Sequence, residues 1–290
     1  MLSDAFLKRL DMLALRMKHP AAGGAGGLRR SKALGSSVEF SDFREYAEGD
    51  DVRRVDWNAF ARFDKLFLKL FMEEQEQRVN LIVDASASMA FGTPSKWDAA
   101  KQLVQALSYL SLCGGDRVTV YALQNDAVQH SRSLCGRQGY AEVTDFLEAL
   151  APEGTADLNQ LLPRLTLPQG RGLCVLLSDM LSENGFERAL QSLRYRKQEV
   201  SVLQLWSREE WEPTLEGEAE LVDSETGETF PVSASYGRLK RYRETAQAYV
   251  TTLRDYCRAH AVSHAFLIPE SPFEAQLLRE LSRAGLIKDS

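Results

Sequence analysis

The sequence has few of the residues that build disulfide frameworks or zinc sites. Its 290 residues include only four cysteines and four histidines, and the cysteines stand far apart at positions 113, 135, 174 and 257. No C-x-x-C pair is present, which excludes a zinc ribbon or a thioredoxin-like redox motif. Isolated cysteines of this kind are typical of buried thiols in a reducing compartment.

Long apolar runs are also missing. Residues 1–20 lack the apolar core of about 7–15 residues that a signal peptide needs, and no run approaches the roughly 18 residues of a membrane span. We therefore expect a cytoplasmic protein without an integral membrane segment. The N-terminal stretch is expected to form a helix whose apolar face, with Phe6, Leu10, Leu13 and Met17, docks onto its own domain rather than on a membrane surface.

The chain has no excess of positive charge. It contains 35 basic and 41 acidic residues, a formal net charge of −6, whereas nucleic-acid-binding domains usually carry a basic excess. We therefore expect no nucleic-acid partner. Hydrophobic residues at 44% and charged residues at 26% are usual for a globular protein, which excludes a disordered or collagen-like chain. The length allows one large domain or two small ones.

From residue 79 onward, short apolar runs alternate with helical patterns. Val79–Val83 and Leu173–Leu177 are continuous runs, as in strands buried on both faces. The alternation predicts an α/β fold with a mostly parallel sheet flanked by helices. We expect an N-terminal helix and charged extension over residues 1–78, packed on the core, and an α/β domain over residues 79–290. Residues 217–232 are expected to form a β-hairpin inserted into that domain.

Oxygen-bearing side chains follow the predicted strands. Asp84, Ser86 and Ser88 form a D-x-S-x-S motif after the first buried strand, Thr155 precedes a predicted helix, and Asp179 closes a later strand. Ligands of parallel sheets bind at the carboxyl ends of strands, so these side chains are expected to lie near one another. Hydroxyl and carboxylate oxygens suit Mg²⁺ or Mn²⁺ rather than Zn²⁺. For the motif taken alone, an aspartate cap with turn-forming serines is the alternative.

These five residues together resemble the metal-ion-dependent adhesion site of von Willebrand factor A domains. The resemblance covers about residues 79–290 and implies a Rossmann-like sheet with one short antiparallel edge strand. It also implies that the two serines and the threonine hold a metal directly or through water, and that the two aspartates act directly or through intervening groups. The remaining metal position is then expected to accept an acidic residue of a protein partner.

A charged block precedes the first buried strand. It reads R-x-Y-x-x-G-D-D-x-R-x-x-D-W-x-x-x-A-R over residues 44–62. Together with the D-x-S-x-S motif that follows, it resembles the family called domain of unknown function 58, and the resemblance spans the whole chain. It implies a cytosolic von Willebrand factor A-like protein that works with a MoxR-type AAA+ ATPase in chaperone-like assembly or maturation of protein complexes.

The residue types of this block leave its role open. Aromatic side chains among arginines and aspartates can form a buried ion-pair scaffold or a docking surface for a partner. The candidate partner-binding residues are Arg44, Tyr46, Asp50, Asp51, Arg53, Asp56, Trp57 and Arg62.

Three functions are compatible with these patterns. The first is a non-enzymatic interaction module that binds the carboxylate of a protein client through Mg²⁺ or Mn²⁺, while a partner hydrolyses ATP. The second is a metal-dependent hydrolase or phosphotransferase that uses the same Asp/Ser site, although no second carboxylate closely follows Asp84 and neither H-E-x-x-H nor G-x-S-x-G is present. The third is an interaction domain whose site holds no metal. We expect the first.

Overall fold

The computed structural model describes residues 2–11, 13–15, 39–47, 52, 55–63, 65–72, 77–168, 170–182, 184–215, 217–270 and 273–289. The chain divides into two compact units, one formed by residues 1–19 with 77–290 and the other by residues 20–76. The larger unit thus includes the first 19 residues, which the sequence placed in an extension over residues 1–78. The packing of residues 20–76 on the core stays a prediction.

The described elements follow the alternation expected from the sequence. The strands are β1 (Leu13–Leu15), β2 (Glu39–Glu45), β3 (Phe67–Met72), β4 (Arg78–Asp84), β5 (Arg117–Gln124), β6 (Ala127–His130), β7 (Leu134–Cys135), β8 (Gly172–Ser178), β9 (Gln198–Leu205), β10 (Gly217–Val222), β11 (Thr229–Ala234), β12 (Ser263–Leu267) and β13 (Ile287–Asp289). The helices are α1 (Asp4–Leu10), α2 (Trp57–Phe63), α3 (Lys96–Cys113), α4 (Gly139–Glu148), α5 (Leu158–Leu161), α6 (Glu187–Tyr195), α7 (Arg208–Trp211), α8 (Tyr236–Ala259) and α9 (Phe273–Arg283). None of these described helices is both long and apolar enough to cross a membrane.

A mostly parallel sheet forms the centre of the larger unit. Six of its described strands lie in the order β12-β9-β8-β4-β5-β6, and β7 pairs with β5 beside this path. The pairs from β12 to β5 are parallel, whereas the short edge strand β6 runs antiparallel to β5. The predicted α/β fold with a mostly parallel sheet is therefore confirmed, and its antiparallel edge is formed by two short strands, β6 and β7, rather than by the one expected.

Helices cover both faces of this sheet. Leu81 and Val83 of β4 pack in the hydrophobic layer that contains residues of α3 and α9, whereas Ile82 packs in the layer that contains residues of α6 and α8. Successive side chains of a strand point to opposite faces. Because both faces are buried, β4 has a continuous apolar run rather than an alternating pattern.

The first helix is shorter than predicted. Residues 13–15 form β1, which pairs antiparallel with β13, so that Leu13 does not continue the helical face. Pairing with β13 satisfies backbone groups that a longer helix would have bonded internally. Ser3 caps α1 and binds the Glu274 carboxylate through its backbone N–H (2.9 Å) and its hydroxyl (3.0 Å). Met17, the last residue of the predicted face, lies outside the described residues.

The predicted hairpin is present. β10 and β11 pair antiparallel from Gly217 with Ala234 to Val222 with Thr229, and residues 223–228 form the turn. Nearly every residue of the two strands is exposed, with only Ala219, Val232 and Ala234 half-buried. The hairpin therefore has little hydrophobic contact along its length.

The described residues of the smaller unit form an antiparallel ribbon and a short helix. β2 pairs with β3 from Glu39 with Met72 to Glu45 with Phe67, and α2 lies between the two strands in sequence. Val55 forms an isolated bridge to Leu68, and both side chains are buried.

The four cysteines are free thiols. Cys174 and Cys257 are buried as expected, but Cys113 is exposed and Cys135 is half-buried. Cys113 is the last residue of α3, where the helix reaches the surface.

Candidate functional site

The candidate site lies at the carboxyl ends of β4 and β8. The loop that follows β4 carries the D-x-S-x-S motif, forms a 3₁₀ turn over Ala87–Ala90 and leads into α3. A neighbouring loop is joined to it by two backbone hydrogen bonds, from Ala87 N–H to the Gly154 carbonyl (2.9 Å) and from Glu153 N–H to the Ala85 carbonyl (3.0 Å). The sheet thus brings three separate segments of the chain to one edge.

Asp84 is buried at the end of β4, and both of its carboxylate oxygens accept hydrogen bonds. Its Oδ1 accepts the backbone N–H of Ser86 (3.0 Å), and its Oδ2 accepts the hydroxyl of Ser178 (2.7 Å). Ser178, which was not among the predicted metal-site residues, in turn accepts the N–H of Met180 (2.9 Å). Burial, together with the nearby negative charge of Asp179, raises the pKa of Asp84 to about 6.

The two serines of the motif connect Asp84 to Asp179. Their hydroxyl oxygens lie 3.0 Å apart, and Ser88 donates to Asp179 Oδ2 at 3.1 Å. Asp179 Oδ1 accepts the N–H of Leu181 (3.0 Å). Four of the five predicted metal-site residues thus belong to one hydrogen-bonded network.

The fifth predicted residue, Thr155, lies in the loop that borders this network. Its backbone carbonyl accepts the N–H of Asp126 (3.2 Å), and the preceding Gly154 binds the D-x-S-x-S loop. The Thr155 side chain is half-buried, and its hydroxyl makes no hydrogen bond to the residues that the structure describes. Backbone hydrogen bonds of its loop therefore hold Thr155 near the motif, and its hydroxyl oxygen is available as a metal ligand.

A buried lysine that was not predicted from the sequence borders the site. The Lys96 side chain, at the start of α3, is fully buried, and its Nζ lies 2.7 Å from Asp179 Oδ2 and 2.5 Å from Glu210 Oε1. Burial disfavours the charged ammonium, but attraction to the two carboxylates outweighs burial and raises the pKa of Lys96 above its usual value. Lys96 is therefore a fixed positive charge beside the serines.

Glu210 belongs to a capping box at the start of α7. Ser207 Oγ accepts the N–H of Glu210 (3.1 Å), and Glu210 Oε2 accepts the N–H of Ser207 (2.7 Å). The S-x-x-E pattern was a readable signal for the cap. The ion pair between Glu210 and Lys96 could not be predicted from the sequence, because it joins residues 114 positions apart.

A third carboxylate, from the hairpin, lies near the serines. It belongs to Glu225, an exposed residue of the β10–β11 turn. Partial burial of the carboxylate and the negative charge of Asp179 raise the pKa of Glu225 above its ordinary value, although the side chains of Ser88 and Ser86 oppose this. The hairpin was predicted, but nothing in the sequence placed its turn at this site.

The arrangement has a shortage of positive charge. The network joins the carboxylates of Asp84 and Asp179 through the two serines, and Lys96 links Asp179 to Glu210. Three carboxylates thus accompany the ammonium of Lys96, an excess of two negative charges. A divalent cation would accept hydroxyl and carboxylate oxygens and reduce this excess, so the residues present fit Mg²⁺ or Mn²⁺.

A metal at this site would need hydroxyl ligands as well as carboxylate ligands. The described residues contain no cluster of three or more His, Cys, Asp or Glu side chains placed to hold a metal ion by themselves. Hydroxyl oxygens are therefore needed in the ligand set. Because all four oxygens of the Asp84 and Asp179 carboxylates already accept protein donors, the serine hydroxyls are the better placed direct ligands.

The candidate partner-binding residues lie in the smaller unit. Asp50, Asp51 and Arg53 fall outside the described residues. Arg44 and Arg62 are exposed, and Tyr46 is half-buried with its N–H on the Leu66 carbonyl (2.9 Å).

Asp56 has a structural role in this unit. It is buried, and its Oδ1 accepts the N–H groups of Asn58 (2.9 Å) and Ala59 (3.1 Å) at the start of α2. Trp57 is 61% exposed and packs edge-on against Phe60. A surface pocket of about 390 Å³ is lined by Asp56, Asn58, Ala59, Arg62, Phe63 and Phe67.

Gly154 is a backbone position that the site depends on. Its φ is +65°, and a Cβ there would lie 1.8 Å from Asn125 Oδ1. We expect Gly154→Ala to lower the free energy of unfolding by about 1–2 kcal/mol from backbone strain alone, with a further loss from displacement of Asn125. Urea denaturation measures the change.

Gly217 provides the matched control for this substitution. Its φ is +72°, but no atom lies within 4 Å of its would-be Cβ, so Gly217→Ala incurs only the backbone strain. Equal losses in the two variants would contradict a close approach at Gly154.

Comparison with known proteins gives the chain a family. The family model described as protein of unknown function DUF58 matches residues 42–252. The uncharacterized protein Rv1480 of Mycobacterium tuberculosis is 30% identical over 224 residues, which cover 75% of this chain and 70% of that protein. The uncharacterized protein Mb1516 of Mycobacterium bovis shows the same identity and coverage.

Two solved structures share a more distant similarity. The conserved hypothetical protein BatB from Bacteroides thetaiotaomicron is 16% identical, with a TM-score of 0.43 over 72% of this chain and 98% of that one. An aerotolerance-related membrane protein from Bacteroides fragilis is 18% identical, with a TM-score of 0.43 over 71% of this chain and 99% of that one. The fold assignment rests on the strand order described above, and the family assignment rests on the sequence matches: the chain belongs to the DUF58 family.

Proposed function

We propose that this chain is a non-enzymatic protein-interaction module of the cytoplasm. Its site binds Mg²⁺ or Mn²⁺ through Ser86, Ser88 and Thr155, with Asp84 and Asp179 oriented behind the hydroxyls, and captures an acidic side chain of a protein client. The observation that carries this proposal is the pair of serine hydroxyls held 3.0 Å apart in a network that joins the buried carboxylates of Asp84 and Asp179. When bound, the metal supplies a positive charge that attracts a carboxylate.

We further propose that the module works with a MoxR-type AAA+ ATPase in assembly or maturation of protein complexes. Membership of the DUF58 family and the charged block over residues 44–62 support this part of the proposal. In this arrangement the ATPase hydrolyses ATP, and the present chain selects the client.

Metal binding is the first test. We expect Mg²⁺ or Mn²⁺ to bind the purified chain in calorimetry, and Asp84→Ala to weaken that affinity by about 10–100-fold, because Asp84 orients the loop that carries the serines. Asp84→Asn keeps the size of the side chain and separates loss of charge from loss of packing. Absence of divalent binding to the folded wild-type chain would contradict the metal proposal.

Partner capture is the second test. Affinity capture from cytosol is expected to recover a client and the ATPase in the presence of Mg²⁺, and to lose the client in EDTA or with Asp84→Ala. Turnover of ATP or a phosphoester by the isolated chain, abolished in the same variant, would instead favour a metal-dependent hydrolase or phosphotransferase. Capture that is unaffected by EDTA and by the variant would favour a site without metal.

A further inference from the structure

The β10–β11 hairpin and the start of α8 form an exposed arm over residues 217–245. None of the side chains of this arm is buried, and only Ala219, Val232, Ala234 and Leu239 are half-buried. An isolated two-stranded hairpin is marginally stable in water, and a helix owes most of its stability to packing of its apolar face. The core of the larger unit covers little of the arm, so its surface is open to another molecule.

The apolar face of α8 continues beyond the part that the core covers. Leu253, Val250 and Ala246 are buried. Tyr242 and Leu239 follow at spacings of four and three residues toward the start of the helix, which places them on the same face. Tyr242 is nevertheless exposed and Leu239 is only half-buried. The first turns of α8 thus present an apolar stripe without a full cover.

The hairpin has one apolar face and one acidic face. Leu221 lies opposite Phe230 in the antiparallel pairing, and paired residues share a face of the ribbon. Both of these side chains are exposed. Glu218 and Glu220 alternate with Leu221 along β10 and therefore lie on the other face. The ribbon accordingly carries an uncovered apolar pair beside a row of carboxylates.

The charges of the arm are separated by sign. The hairpin has five acidic residues and no basic one, namely Glu218, Glu220, Asp223, Glu225 and Glu228. The first ten residues of α8 have four basic residues and one acidic one, namely Arg238, Lys240, Arg241, Arg243 and Glu244. Apart from an exposed pair between Lys240 and Glu244 at 3.9 Å, these side chains form no ion pair with the residues that the structure describes. Both patches are free to pair with opposite charges on another molecule.

We propose that the arm is the contact surface between two copies of this chain related by a two-fold rotation. The acidic hairpin of one copy lies against the basic start of α8 of the other, and symmetry repeats the contact in the opposite direction. In each contact Leu221 and Phe230 cover the exposed end of the α8 stripe. A standard interface uses about 20–30 residues on each side, which is the size of the arm.

The order of charges favours a second copy over an anionic surface. Four basic residues at the start of a helix would by themselves suit anionic lipid headgroups or a phosphate backbone. The five carboxylates of the adjoining hairpin would be repelled by such a surface. A second copy instead offers a basic patch for the hairpin and an acidic patch for the helix, and this pairing is self-complementary.

Sedimentation equilibrium of the full chain tests the proposal. We expect the wild type to form a particle of twice the 32.5 kDa chain mass, and to associate more weakly in about 0.5 M NaCl than in about 0.1 M NaCl, because salt screens exposed charges. Two charge-reversal variants change one patch each. The helix variant combines Arg241→Glu with Arg243→Glu, and the hairpin variant combines Glu218→Lys with Glu220→Lys.

Each variant alone places like charges across both contacts of the pair, so its self-association is expected to weaken by at least about 10-fold. In an equimolar mixture of the two variants, one contact has the native charges and the other has both signs reversed. Heterodimers are therefore expected to form, which a loss of folding could not produce. Arg188→Glu with Arg194→Glu, two exposed residues of α6 outside the arm, is the matched control and should associate like the wild type.

Three results would overturn the proposal. A wild type that stays monomeric at about 0.1 mM, where a dimer with a micromolar dissociation constant would form, excludes the pairing, and binding of that monomer to phosphatidylserine vesicles would assign the arm to a membrane. A dimer that both arm variants leave intact uses another surface. Variants that stay monomeric when mixed, although circular dichroism shows them folded, exclude the reciprocal contact of hairpin and helix.

Discussion

Replacement of Lys96 by methionine is expected to lower the free energy of unfolding by about 3–5 kcal/mol, the usual cost of removing one partner of a buried ion pair. Lys96 is fully buried between Asp179 and Glu210, and its removal leaves Asp179 as a buried carboxylate without a cation. Methionine has a similar length and fills the same space, so the loss reports the charge rather than a cavity. Urea denaturation in EDTA measures it.

Lys101→Met is the control on the same helix. Lys101 lies further along α3 than Lys96 and pairs with Asp98 at 3.0 Å. Both side chains of this pair are partly exposed, and such surface pairs contribute about 0–1 kcal/mol. A loss at Lys96 no larger than the loss at Lys101 would show that the buried pair is not a stabilising element of the site.

The same variant also tests the proposed metal. The Lys96 ammonium and a bound cation would both lie beside Asp179, so they repel each other. Lys96→Met is therefore expected to bind Mg²⁺ more tightly than the wild type does, and Mg²⁺ should restore part of the lost stability, because binding to the folded state alone stabilises it. Weaker Mg²⁺ binding in the variant would contradict this electrostatic account.

The parts of the site that were predictable depend on local order along the chain. Asp84 and Asp179 each stand at the end of an apolar run that is short and continuous, and strand ends of a parallel sheet meet at one edge. The D-x-S-x-S spacing then places both serines on the adjoining loop. Fold class and four of the network residues followed from this reasoning alone.

The parts that were missed depend on contacts between distant segments. Lys96 looks like an ordinary first-turn residue of a helix, and only packing of α3 near α7 turns it into a buried counter-ion. The N-terminal strand was missed for the same reason, since its partner β13 lies at the other end of the chain.

Trp206→Ala is expected to destabilise the larger unit by about 3–5 kcal/mol, as for other large buried aromatic side chains. Trp206 is 2% exposed and packs against Trp211, Tyr249 and Phe266 at ring-centroid distances of 6.0, 6.3 and 5.8 Å. Its indole N–H also donates to the Asp179 carbonyl at 2.9 Å. The variant thus removes both a core side chain and a support of the segment that carries Asp179.

Two further variants separate these contributions. Trp206→Phe keeps an aromatic ring but loses the indole donor, and because Gln204 still donates to the same carbonyl at 3.2 Å, we expect a loss of only about 1–2 kcal/mol. Trp57→Ala removes a tryptophan that is 61% exposed and should change stability by no more than about 0.5 kcal/mol. Similar small losses for Trp206→Ala and Trp57→Ala in urea denaturation would contradict the buried position of Trp206. A large loss for Trp206→Phe would instead assign most of the stabilisation to the hydrogen bond that holds Asp179, and would make Trp206 primarily a positioning residue of the site.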